Sequence, residues 1–295
     1  MRPNTNLLAK ELKIFMTLTY ESALKLAERK LNEAGIGTSH LDALVLLEDI
    51  TKVNRAKLLS NPKDTLSKTE AIRFKRQVNA RAKHLPLACV RGKTEFYGRE
   101  FSINKHVLEP RPESEAIIEE LKDITKDSPK TLQVMDIGTG SGALIISAKL
   151  ECPSISAIAI DIDKNCLNLA RKNAAKYKQN ILFIKSDLIQ AIPATKWSNK
   201  PVVILANLPY VPDDWQLNLS ATKEPRLAIF GGKDGLELYT RLFKQLSGLS
   251  HPPRWVITEA LPPKHKDLKE IAANSGYELK TTNDFVQVFY LFRKA

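Results

Sequence analysis

The chain is short of the residues that build metal centres, disulfide frameworks and membrane spans. Among 295 residues there are three cysteines and five histidines. Cys89, Cys152 and Cys166 show neither pairing nor metal-ligand spacing, and no histidine stands at ligand spacing from a cysteine or another histidine. No metal site is expected, and with no signal-peptide pattern the expected compartment is a reducing cytoplasm. No apolar run approaches the ~20 residues that cross a bilayer, which excludes a membrane-spanning role. There is no phosphate-loop lysine pattern, no dinucleotide G-x-G-x-x-G, no internal repeat and no low-complexity tract.

What remains is an ordinary globular composition, 43% hydrophobic and 26% charged, long enough for two domains. The net charge of +12 favours acidic or nucleic-acid-bearing partners. The charge is uneven: between Arg55 and His84 nine Lys or Arg face two Asp or Glu, giving +7 in one short piece.

Residues 1–16 read as an extension, with Met16 as an alternative translation start. Apolar residues then recur at helical spacing at Tyr20, Leu24, Ala27, Leu31 and Ala34, until Gly35 and Gly37 stop the helix. Ser39 is the expected N-cap of a second helix, with Leu41, Leu44, Val45 and Leu47 turned inward. Asn54–Leu59 and Glu70–His84 predict two more. In the last, Phe74, Val78 and Ala82 form the apolar stripe and Arg73, Lys75, Arg76, Arg81 and Lys83 a basic face, read either as a solvated surface or as a dock for an acidic protein or RNA. The expected division is a helical bundle over 17–85, a β-hairpin linker over 86–112 and a catalytic domain over 113–295. The hairpin is Phe96–Phe101 with Gly98 at the turn. Pro110-Arg111-Pro112 forces an extended segment, and Glu113-Ser114-Glu115 suits a helix N-terminus.

Beyond that point strands and helices alternate. Leu132–Ile137, Ile155–Ile160, Ile181–Ile184 and Val202–Ala206 read as parallel strands, Arg254–Ala260 as a fifth, and Tyr277–Lys280 with Phe285–Phe292 as an antiparallel edge. Ala143–Leu150 and Leu268–Ser275 read as helices, as does a segment ending at Leu246. In such sheets ligands bind at the carboxyl edge. The first strand ends in Gly138-Thr139-Gly140-Ser141-Gly142, where a backbone turns sharply and approaches a ligand closely. The second ends in Asp161, an acid that can accept both hydroxyls of a ribose. The third ends in Ser186-Asp187-Leu188, placed to touch the edge and face of an adenine. The fourth ends in Asn207-Leu208-Pro209-Tyr210. Together these indicate S-adenosylmethionine. The Asn207 side-chain oxygen and the Leu208 carbonyl can accept the two hydrogens of a planar NH2 group, with Pro209 stiffening the turn and Tyr210 covering the group's face. That array suits methyl transfer to an amide or a nucleobase amine.

Phe96-Tyr97-Gly98, Val107 to Glu115, Asp136 to Gly142, Asn207 to Tyr210, and Glu224-Pro225-Arg226-Leu227-Ala228 with Gly231-Gly232 resemble the peptide chain release factor glutamine N5-methyltransferases, the PrmC/HemK family. The resemblance runs from about Thr17 to the C-terminus. It implies an α/β fold: a Rossmann-like class I methyltransferase with a seven-stranded, mostly parallel sheet, preceded by the helical bundle and hairpin. It implies that Gly138–Gly142 wrap the methionine end of the cofactor, Asp161 holds the ribose, Asp187 and Leu188 meet the adenine, and Asn207, Leu208, Pro209 and Tyr210 grip the substrate glutamine. The implied substrate is the glutamine of a Gly-Gly-Gln loop on a release factor, which the bundle helps to hold, and the enzyme is expected to be a monomer. Departures from the family pattern are Leu208 where a proline is usual, Glu109 where an apolar residue is usual, Pro201-Val202 in place of an Asp, and the segment Ala260–Pro263. Two other readings stay open: a nucleic-acid amine methyltransferase of the ribosomal RNA adenine type, which shares Asn-Leu-Pro-Tyr, and a cofactor-binding scaffold without catalysis.

Overall fold

A computed structural model of the chain describes residues 18–126, 132–197 and 201–292; residues 1–16, read above as an extension, lie outside it. The chain divides into two compact units. One holds residues up to Gly92 together with Asn218–Lys223, and the other holds Lys93–Leu217 and Glu224 onward.

The first unit is helical: α1 (Tyr20–Glu33), α2 (Ser39–Thr51), α3 (Arg55–Ser60), α4 (Lys68–Arg81) and α5 (Leu87–Arg91). Leu31, Leu46, Leu47, Leu58, Phe74 and Val78 fill its core. Asn54 caps α3, and Ser67 with Glu70 forms a capping box on α4. Three expectations need correction. Ser39 is the first residue of α2 rather than its cap, and its hydroxyl donates to Asn32 Oδ1 at 2.6 Å. Leu41 faces solvent and Val45 is half-buried, while Leu44 and Leu47 are buried as expected and Leu46 joins them. Arg81 is not on the basic face. It is buried and donates from Nε to Asp42 Oδ2 at 2.6 Å. Arg55 is also paired, with Glu48, so the basic face is narrower than the charge count suggests. Residues 87–91, expected to open the linker, form α5 within this unit.

The second unit opens with the hairpin β1 (Lys93–Phe96) and β2 (Arg99–Ser102). Tyr97 and Gly98 both have positive φ, the signature of a two-residue type I′ turn. Helix α6 (Glu115–Lys126) follows, then β3 (Gln133–Ile137), α7 (Ala143–Glu151), β4 (Ser156–Asp161), α8 (Lys164–Lys176), β5 (Leu182–Lys185), β6 (Val202–Ala206), α9 (Arg226–Ile229), α10 (Glu237–Ser247), β7 (Trp255–Glu259), α11 (His265–Asn274), β8 (Tyr277–Asn283) and β9 (Val286–Leu291). The seven strands order as β5-β4-β3-β6-β7-β9-β8. The first five pair in parallel, and β9 and β8 close the edge antiparallel. Side chains alternate between two cores: Val134, Val203, Leu205 and Ile257 on one face, Met135, Ile137, Ile204, Ala206 and Val256 on the other. β3 and β6 are buried throughout, as strands covered on both faces must be. The chain leaves β3 toward β4 and β5, then returns to β6 on the other side of β3. That reversal opens a crevice between the carboxyl ends of β3 and β6.

Candidate active site

A cleft lies at this reversal, lined by Gly138, Gly140, Asp161, Leu188, Asn207 and Leu208 among others. The glycine turn is tied to the neighbouring strand: the N–H groups of Gly138 and Thr139 both donate to the Ile160 carbonyl at 2.9 Å. Gly140 has φ +54°, and a β-carbon there would point into open space, so the turn leaves room on the cleft side that a side chain would occupy. Gly142 serves packing, since its β-carbon would stand 3.0 Å from that of Ala170 on α8. Thr139 and Ser141 are buried behind the turn. The Thr139 hydroxyl donates to Asp136 Oδ2 at 2.6 Å, and the Ser141 carbonyl accepts from Asn173 Nδ2 at 2.9 Å. Of the five residues Gly138–Gly142, Gly138 and Gly140 are the ones that line the cleft.

Asp161 ends β4 with its carboxylate held on both oxygens. Oδ2 accepts from the Gly140 N–H at 2.9 Å and Oδ1 from the Asp163 N–H at 2.8 Å. Burial raises its pKa, and these two bonds offset part of the rise. Each oxygen keeps a further lone pair, enough for a diol. Deeper in, burial pushes the Asp136 carboxyl up to about 7. Asp187 and Leu188 both line the cleft. Asp187 accepts from Arg241 Nη2 at 2.5 Å, and Leu188 sits at φ +51°. The donor set therefore suits a nucleoside: a glycine cradle, a carboxylate for hydroxyls and an apolar side chain for a base.

At the end of β6, Asn207 is fixed by its own amide. Nδ2 donates to Ser114 Oγ at 2.8 Å and to Glu259 Oε2 at 3.0 Å. A carboxylate only accepts, so the NH2 must face Glu259, and Oδ1 is left to accept from elsewhere. The Leu208 N–H donates to the Tyr239 hydroxyl at 3.1 Å. That hydroxyl also lies within hydrogen-bond distance of the Ala206 and Glu259 carbonyls, tying the ends of β6 and β7 together. Tyr210 is anchored at its hydroxyl. Its hydroxyl donates to Glu259 Oε1 at 3.0 Å, and its ring is not among the side chains lining the cleft.

Two sequence motifs that carried only a resemblance acquire physical roles. Arg111 Nη2 reaches both oxygens of Glu224, at 3.2 and 2.9 Å, and the buried Glu224 still has a raised pKa because desolvation outweighs the arginine. Gly231 lets its loop lie on the Asn207–Tyr210 turn, donating its N–H to the Val211 carbonyl at 2.9 Å. Glu109, the unusual acid, accepts from the Thr94 hydroxyl at 2.8 Å. Sequence reasoning missed Glu259, Tyr239 and the contact of Ser114. The available signal was an acid ending a buried strand at the same edge as Asn207.

The chain matches the family model described as the PrmC N-terminal domain over residues 22–92, and the methyltransferase small domain over 112–222. It is 36% identical over 235 residues to the release factor glutamine methyltransferase of Bacillus subtilis, covering 77% of this chain and 80% of that one. The chain belongs to the release factor glutamine methyltransferase family. A bifunctional methyltransferase of Rickettsia typhi is 31% identical over 286 residues, covering 90% of this chain, which spans about half (54%) of that longer protein. Among solved structures, the catalytic domain of hMettl16 in complex with a MAT2A 3'UTR hairpin superposes with a TM-score of 0.54 at 16% identity, over 85% of this chain and 93% of that one. That likeness shows the class I methyltransferase fold. This family member is thus a methyltransferase, and its methyl donor is S-adenosylmethionine. Among the described residues no helix is long and apolar enough to cross a membrane.

Proposed function

We propose that the chain transfers a methyl group from S-adenosylmethionine to the side-chain amide nitrogen of a glutamine on a peptide chain release factor, the glutamine of its Gly-Gly-Gln loop. The observation that carries this reading is the orientation of Asn207. With both acceptors of its NH2 inside the protein, at Ser114 and Glu259, its oxygen is presented as a hydrogen-bond acceptor at the cleft.

S-adenosylmethionine, when bound, supplies an electrophilic methyl on a sulfonium. The chain's residues then do the rest. Gly138 and Gly140 leave space for the methionine end, Asp161 accepts from the ribose hydroxyls, and Asp187 and Leu188 meet the base. Asn207 Oδ1 and the Leu208 carbonyl each accept one N–H of the substrate amide. This turns the nitrogen's lone pair toward the donor and favours the pyramidal geometry of the transition state. Pro209 stiffens the turn. Tyr210 covers the face of the amide, its ring anchored through the hydroxyl on Glu259. No general base is required before the transition state, because the proton becomes acidic as the methyl adds and then leaves to water. The helical unit and what remains of its basic face hold the factor. The reading carries with it a cytoplasmic, monomeric enzyme. A nucleobase acceptor would want aromatic side chains to stack an unstacked ring. Among the described residues lining the cleft there is no Phe, Tyr or Trp.

The test is labelled S-adenosylmethionine offered with a release factor, the same factor with its loop glutamine replaced, and ribosomal RNA. Label on the factor that vanishes with the glutamine is expected. Label on RNA overturns the amide reading in favour of a nucleobase amine.

A further inference from the structure

The carboxylate of Glu259 stands at the centre of the acceptor turn without reaching the cleft. It is 1% exposed and is not among the cleft's lining residues. Its two oxygens divide between the two side chains that flank Leu208-Pro209: Oε1 accepts from the Tyr210 hydroxyl and Oε2 from Asn207 Nδ2, each at 3.0 Å. Its own backbone carbonyl meets the Tyr239 hydroxyl at 2.5 Å, the hydroxyl that accepts from the Leu208 N–H. Ser114, at the start of the helix after Pro110-Arg111-Pro112, supplies the second acceptor for Asn207 Nδ2.

An amide side chain has two faces that differ only in exchanging O for NH2. A turn meant to accept hydrogens from a substrate fails if the amide flips, because it then presents donors to donors. A neutral acceptor-donor such as a hydroxyl does not prevent this, since Ser114 can donate or accept. An acceptor-only carboxylate does prevent it, because a flipped Asn207 would set oxygen against oxygen in a buried site.

We infer that Glu259, with Ser114, is a positioning residue that locks the Asn207 amide with its oxygen toward the acceptor and its nitrogen toward the protein. The inference rests on the methyl-transfer reading for its consequence, but the lock itself is a property of the free protein. Glu259 touches no reacting atom. It acts through Asn207 and Tyr210; burial raises its pKa, and the hydrogen bonds from Ser114, Tyr210 and Asn207 oppose that rise.

The experiment joins a spectroscopic readout with kinetics. In the wild type, the Asn207 side-chain NH2 should give one pair of 15N-resolved proton signals protected from solvent exchange. In Glu259→Ala the protection should be lost. Glu259→Gln keeps one oxygen for Asn207 and turns its NH2 to the Tyr210 hydroxyl, which can accept, so protection should persist. Turnover should follow: about 10–100-fold lower kcat in Glu259→Ala, as expected for a misplaced acceptor, and within about fivefold of wild type in Glu259→Gln. Ser114→Ala, a smaller change that keeps the fold if Glu259→Ala does not, should lower kcat by several-fold. In an Asn207→Ala background, Glu259→Ala should cost little more, which a merely structural residue would not do. Unchanged Asn207 protection in Glu259→Ala, or a Glu259→Gln enzyme as impaired as Glu259→Ala, overturns the inference; the latter would mark a group needed for its charge or as a proton acceptor. Label moving to RNA instead of the factor would overturn the substrate reading while leaving the protection measurement to decide the lock.

Discussion

A β-carbon placed on Gly231 would stand 2.2 Å from the carbonyl oxygen of Pro209. The loop that carries Gly231 therefore lies directly against the acceptor turn, and only a residue without a side chain lets it do so. Gly231→Ala should push that turn out of place, because the obstructing atom is backbone and cannot rotate away. The expected result is a kcat lowered at least tenfold, with cofactor affinity within a few-fold of wild type, since the cradle at Gly138 and Gly140 is on a different turn. Equilibrium binding of the cofactor alongside steady-state turnover checks it.

Asn207 and Asp161 should separate by kinetic signature. Asn207→Ala removes an acceptor used in the transition state and should cost roughly 2–4 kcal/mol in kcat/KM, by analogy with loss of an oxyanion donor. Asp161→Ala should weaken cofactor binding and leave kcat at saturation less affected. Normal cofactor affinity with collapsed turnover in Asp161→Ala would remove its assignment to the ribose.

Burial holds the Asp136 carboxyl at about 7, above the ordinary value of 3.8. The folded state thus favours the protonated acid. The stability from this group is fully present below pH 4 and is lost as pH rises through about 7, a decline of up to about 4 kcal/mol. Asp136→Asn cannot show this loss, and its amide oxygen can still accept from Thr139. Urea midpoints at pH 5 and pH 8 should fall further for the native chain than for the variant; parallel declines would place the titration elsewhere.

Arg111→Ala should destabilise the fold by about 1–3 kcal/mol, because it leaves the buried Glu224 carboxylate without its cation. Glu224→Gln should rescue much of the loss in the double variant. A denaturation midpoint unmoved in Arg111→Ala would show the pair to be dispensable.

The strand ends were legible because they depend on short-range pattern. A run such as Val202–Ala206 is apolar at every position, which only a strand covered on both faces requires, and a glycine turn or an Asn after it falls at the sheet edge by topology. The hairpin at Gly98 was equally local. Local pattern says less where a residue serves a partner far along the chain. Arg81 looks like one more surface cation until Asp42, 39 residues earlier, is brought beside it. Thr139 and Ser141 belong to the glycine motif, but only the path of the turn decides that they face away from the cleft. Tyr210 is an aromatic at the right place in the sequence, but the acid that anchors its hydroxyl lies on a strand 49 residues later.

The sequence by itself determined the fold class, the order of the strand ends, the cofactor and the family, because periodicity and local turn chemistry are written in neighbouring residues. Only the tertiary structure decided which of the motif residues reach the cleft, why Gly231 and the Arg111–Glu224 pair are needed, and that a buried acid at the end of β7 sets the direction of the Asn207 amide. Those are relations between groups dozens of residues apart. They depend on the desolvation and hydrogen-bond geometry that packing creates, and no spacing along the chain encodes them.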